Sequence, residues 1–206
     1  MTQHVLPGAA YDNKIYTKYS KNTIEKKAKN KADFCEEQEL VCDQRQMLLG
    51  IASELTEKNG ANLLAELLPG IAALNICLVV RGVGSEKFQK LLAGFAKDNP
   101  GKVAVVPDTN DDMRKILAAS DVSFFFSAGE ENEKFALGAL SYASLPIVPN
   151  SMQHIVEDYN PNQESGTGFV YRQDDMWSAF AAIVRAQENF RFPYDWKTIQ
   201  RSAIDA

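Results

Sequence analysis

The sequence predicts an α/β domain built on a doubly wound, Rossmann-like parallel sheet. Continuous apolar runs such as "NICLVV" and "DVSFFF", suited to strands buried on both faces, alternate with segments whose apolar residues recur at helical spacing. Turn residues, Gly82, Gly84, Pro100 and Gly101 among them, mark the changes from one kind of segment to the other. With 206 residues, 45% of them hydrophobic and 24% charged, the chain can bury one good core.

The elements follow in order from residue 46. "MLLGIAS" is a first strand, and "GANLLAELLPGIAAL" is a helix by its apolar spacing. "NICLVVRG" is a buried strand ended by Gly82 and Gly84, and "SEKFQKLLAGFAKDN" is an amphipathic helix capped by Ser85 and stopped by Pro100-Gly101. "KVAVVP" is a third strand. "TNDDMRKILAAS" is a helix with acids in its first turn, where the helix dipole favours them. "DVSFFFS", "LPIVP" and "GTGFVY" are the remaining strands, with a helix over "EKFALGALSYAS" between the first two of these. "DDMWSAFAAIVRAQENF" and "DWKTIQRSAIDA" close the chain as helices. In such a sheet ligands bind beyond the carboxyl ends of the strands, so the loops after Ser53, Val80, Val106, Phe126 and Val148 carry the functional weight.

Residues 1–45 are of another kind, polar and rich in Lys and Asn, with one helical pattern in "NTIEKKAKNKADFCEEQEL". They are expected to form a lead-in arm packed on a main domain over 46–206. The basic run "KKAKNKADF" within them fits a solvated helix face.

Charge and composition exclude several classes. A formal charge of −5 argues against a nucleic-acid surface, which needs Lys and Arg clustered on one face. The longest apolar stretches fall far short of the roughly 20 residues of a membrane span. "MTQHVLPGAA" lacks the basic start and apolar core of a signal peptide, which makes the cytoplasm the expected compartment. Cys35, Cys42 and Cys77 are odd in number and lack CxxC spacing, and only His4 and His154 could join them in a metal site; inert, reduced thiols and no metal are expected.

The blocks "VLPGAAYDNKIYTKYSKNTIEKKAKNKADF", "GIASELTEKNG", "LVVRGVGSEKF", "AASDVSFFFSAGE", "LSYASLPIV" and "GTGFVY" together resemble the C-terminal, nucleotide-sugar-binding domain of bacterial glycogen synthases and plant starch synthases, retaining glycosyltransferases of the GT-B fold. The likeness covers nearly the whole chain. It is most specific in the lead-in and in a gap-free match of residues 127–148, where the family runs Ser-Arg-Phe-Glu-Pro-Cys-Gly-Leu and ends in Tyr-Gly-Thr-Leu-Pro-Ile-Val.

The resemblance implies a donor site. Ser127 falls on the family Ser, and Glu130 on the Glu that contacts the transferred glucose. Lys134 and Phe135 stand where backbone N–H groups at a helix start face the donor diphosphate, a position suited to an anion. Gly82 and Gly84 match a nucleotide loop, although two glycines in a tight strand-to-helix turn are also common in any α/β domain. Glu130 likewise reads either as a sugar contact or as one acid of three in a solvated turn. The implied donor is ADP-glucose, the implied acceptor an α-1,4-glucan, and no separate cofactor is implied.

This chain departs from the family where anions are held. A segment like Ser-Arg-Leu-Thr-x-Gln-Lys-Gly reads here Ser53-Glu54-Leu55-Thr56-Glu57-Lys58-Asn59-Gly60, so the two cations have become Glu54 and Asn59. Pro-Cys-Gly-Leu is Glu131-Asn132-Glu133-Lys134, Thr-Gly-Gly is Ser151-Met152-Gln153, and an aromatic residue that often lies against the base is Asp108. GT-B enzymes work between two domains, and the resemblance begins where the second begins. The expectation is a glycosyltransferase domain that is silent without an N-terminal acceptor half; the alternative is a non-catalytic interaction or regulatory module that has lost donor binding.

Overall fold

The computed structural model describes residues 6–206; His4 lies outside the described residues. Six strands form one parallel sheet: β1 (Met47–Ile51), β2 (Ile76–Arg81), β3 (Val103–Val106), β4 (Val122–Phe124), β5 (Leu145–Pro149) and β6 (Phe169–Tyr171), in the order β3-β2-β1-β4-β5-β6. This is the doubly wound arrangement that the alternation of segments predicts. Its strand order reverses between β1 and β4, and the crevice beyond their carboxyl ends is the place such sheets offer a ligand.

Helices α1 (Lys27–Glu37), α2 (Asn62–Ala73), α3 (Glu86–Asp98), α4 (Asn110–Ala119), α5 (Glu130–Ser141), α6 (Met176–Phe190) and α7 (Pro193–Asp205) cover the sheet. Leu49, Leu78 and Val80 pack on one face with Leu64 of α2, Phe88 of α3 and Ile183 of α6. Leu48, Cys77 and Val79 pack on the other with Phe34 of α1, Ile116 of α4 and Ala139 of α5. Apolar burial on both faces explains why these strands read as continuous rather than alternating runs.

The segment before β1 is pinned by polar contacts that its composition hides. Lys27 is buried, and its Nζ donates to the carbonyls of Leu117, Ala118 and Tyr142 at 3.1, 2.9 and 3.0 Å. These acceptors lie at the ends of α4 and α5, where the helix dipole favours a cation. Lys31, also buried, reaches Asp121 at 2.7 Å. The basic run is therefore a solvated face only in part: Lys26 and Lys29 are exposed, whereas Lys27 and Lys31, one helical turn apart, point inward and each finds oxygen acceptors that make burial of an ammonium tolerable.

Two cysteines also differ from the expectation. Cys42 and Cys77 are joined in a disulfide, and Cys35 alone is free and buried. Val41 donates its N–H to Gly101 O at 2.7 Å, which lays the loop before β1 against the sheet and brings Cys42 beside the second residue of β2. Nothing in a separation of 35 residues signals this contact. Among the described residues no helix is long and apolar enough to cross a membrane.

Candidate functional site

The carboxyl ends of the strands open onto a set of loops tied to one another. Leu55, just after β1, donates its N–H to Val83 O and accepts from the N–H of Ser85, both at 2.9 Å, joining the exits of β1 and β2. Gly84 lies in this joint at φ 135°, and a Cβ there would stand 2.2 Å from Leu55 O. A Cβ on Gly82 would come within 3.0 Å of Val106 O. Both glycines are thus required by the close approach of neighbouring backbone, whatever else the turn does.

A second joint lies across the crevice. The Ser127 hydroxyl donates to Asn59 O at 3.1 Å, Asn59 Nδ2 to Glu54 O at 3.2 Å, and Asn132 Nδ2 to Ser127 O at 2.9 Å. Ser127 therefore links the loop after β1 to the loop after β4. Asn132 is a buried clamp that sequence reading passed over. Phe124, Phe125 and Phe126 are buried, as their strand setting predicts.

Helix α5 begins at Glu130 behind Gly129, three residues before the expected start. Its first turn carries Glu130, Glu131 and Glu133, charges that the amino-terminal dipole stabilises and that extend the helix outward. The N–H groups at its mouth are those of Gly129 to Asn132, since Glu133 N already bonds Gly129 O at 2.8 Å. Lys134 and Phe135 lie one turn further in.

Glu130 itself is exposed and pairs with Lys134 at 2.6 Å, which holds its carboxyl below the usual range. Glu133 faces His154 at 3.6 Å and Glu57 pairs with Lys87 at 2.6 Å. Lys58 is exposed. At the end of β2, Arg81 is buried, with Nε 3.2 Å from Asp108 Oδ1 and its guanidinium 5.7 Å from the Phe135 ring centroid. The sequence signal for Arg81 is a charge closing an otherwise apolar strand, "ICLVVR". The structure so brings Ser127, Glu130, Lys134, Phe135, Gly82 and Gly84 to one end of the sheet, with acids and cations interleaved.

A cavity of about 320 Å³ lined by Lys27, Lys31, Asp121, Phe190 and Trp196 lies at the opposite, amino end of the strands and touches none of these residues.

No family model matches the chain. It is 31% identical over 201 residues to glycogen synthase 1 of Synechocystis sp., covering 96% of this chain and 42% of that protein. It is 29% identical to the glycogen synthase of Fervidobacterium nodosum over 94% of this chain and 40% of the relative. The chain thus spans well under half the length of these curated relatives. Among solved structures, the catalytic domain of starch synthase IV from Arabidopsis thaliana, bound to ADP and acarbose, is similar with a TM-score of 0.84 at 18% identity, over 97% of this chain and 43% of that one. A glycosyltransferase from Rickettsia africae has a TM-score of 0.65 at 15% identity, over 86% of this chain and 46% of that one.

Proposed function

Because the chain is homologous to the glycogen synthases and folds as the C-terminal half of a GT-B glycosyltransferase, we propose that it is the nucleotide-sugar-binding domain, over 46–206 with an arm over 1–45, of a glycogen/starch synthase-type hexosyltransferase. The reaction is transfer of glucose from ADP-glucose to the non-reducing end of an α-1,4-glucan with retention. The acceptor side comes from a domain corresponding to the rest of the relatives' length. The observation that carries the reading is the 31% identity over 96% of the chain together with the open end of the sheet at the β1/β4 switch point.

In this reading the donor lies across the carboxyl ends of β1 and β4. Its diphosphate faces the free N–H groups at the start of α5, where partial positive charge favours an anion. Glu130 swings from Lys134 to the hydroxyls of the glucose, and Ser127 holds the two loops at the spacing the donor needs. Lys134, released, neutralises part of the departing diphosphate. Gly82 and Gly84 let the β2 loop lie close against Leu55, keeping the nucleotide side of the crevice open.

Thermal unfolding with and without ADP or ADP-glucose tests the proposal. Ligand at about 100 times its Kd stabilises by roughly 2.7 kcal/mol, a rise of about 5–10 °C for a domain of this size. The rise with ADP-glucose should shrink in Glu130→Ala. No response of the wild type to either compound would refute donor binding.

A further inference from the structure

Arg81 occupies a position that the proposed site has not yet used. Along β2, Ile76, Leu78 and Val80 face one side of the sheet and Cys77 and Val79 the other. Arg81 continues the second series and emerges at the carboxyl edge, above Phe135 of α5. Its side chain is only 9% exposed. A guanidinium stays charged at any ordinary pH and carries five N–H donors in a planar fork. Burying it calls for acceptors, and at Nε one is missing: that atom is enclosed without a hydrogen-bond partner, although Asp108 Oδ1 is 3.2 Å away. The Asp108 carboxylate supplies attraction without the alignment of a hydrogen bond, and its side chain is 53% exposed, free to turn toward water.

The rest of the crevice sharpens the point. Glu54 and Asn59 carry no positive charge, Lys134 is engaged by Glu130, and Lys58 is exposed on the loop. A buried, underused, geometrically fixed cation beside the first turns of α5 is what an entering phosphate would meet. We infer that Arg81 is a phosphate-binding residue of this crevice, taking a diphosphate oxygen in place of Asp108, which acts as an internal stand-in for the anion. This deepens the proposed donor site and rests on that reading for the identity of the diphosphate as part of a nucleotide sugar.

Calorimetric titration with inorganic pyrophosphate, ADP and ADP-glucose tests it. Arg81→Met, which keeps an unbranched apolar side chain at this buried position, should weaken pyrophosphate and ADP by about 10-fold or more, the scale of one charge-assisted hydrogen bond. Asp108→Asn should tighten both, because the competing carboxylate is gone. Its half-exposed position keeps that variant folded even where Arg81→Met is not. Unchanged affinity in Arg81→Met, or unchanged or weaker affinity in Asp108→Asn, overturns the inference. The two readings separate cleanly. Binding of ADP-glucose that ignores Arg81 leaves the donor site standing without this residue, whereas Arg81-dependent pyrophosphate binding with no response to ADP-glucose leaves Arg81 standing and removes the donor assignment.

Discussion

Removing the Asp121 carboxylate should be among the most damaging single changes in the chain. Asp121 Oδ2 receives Lys31 Nζ at 2.7 Å and the N–H of Leu48 at 2.8 Å, and both side chains of the ion pair are only 10% exposed. In Asp121→Ala the Lys31 ammonium keeps only the Gln46 carbonyl and the Phe190 ring, whose centroid is 4.8 Å away. Breaking a buried pair from one side costs about 3–5 kcal/mol. At roughly 2–4 °C per kcal/mol for a chain of this length, the melting temperature should fall by roughly 6–20 °C. Urea unfolding gives the free energy directly. The double variant Lys31→Met/Asp121→Ala removes the stranded charge and should recover more than half of the loss. A single-variant loss under about 1 kcal/mol, or a double variant no better than the single, would refute the argument that the arm is locked to the sheet by this pair.

Two further predictions concern the same region. The Cys42–Cys77 bond closes a loop of 35 residues, so Cys42→Ser should cost about 4 kcal/mol, and the unreduced, denatured protein should titrate one thiol, Cys35; three would remove the bond. Burial pulls the Lys27 amine from 10.5 down to about 7. The unfolded chain then binds the extra proton between those values, so stability should rise with pH from about 7 towards 10, until the buried Tyr19, held well above its usual value by burial, opposes the trend. The difference between wild type and Lys27→Met isolates this contribution, and parallel pH profiles of the two would sink it.

The sheet, its parallel sense and most helix limits were legible because both-face burial writes itself as unbroken apolar runs, and helix ends at Thr109 and Asp175 are signed by side chains that accept from Asp112 N and Ser178 N. What escaped reading was polar chemistry whose partner lies far along the chain. A lysine in "KKAKNKADF" looks the same whether it meets water or the carbonyls of residues 117, 118 and 142. The start of α5 was missed because its three leading acids resemble a solvated loop, when at a helix amino terminus they are stabilising.

The same distinction bears on the proposed anion site. The resemblance to the glycogen synthases implies cations where this chain has Glu54 and Asn59, and each is a visible change within a recognisable segment. It does not single out Arg81, which closes the otherwise apolar run "ICLVVR". Electrostatics depends on position in space, and a cation at the end of β2 acts on the crevice beside the loop after β1, with less screening for being buried. On the proposed reading, Arg81 supplies the positive charge that Glu54 and Asn59 do not. Titration of the Asp108 and Arg81 variants decides whether that charge still holds a diphosphate.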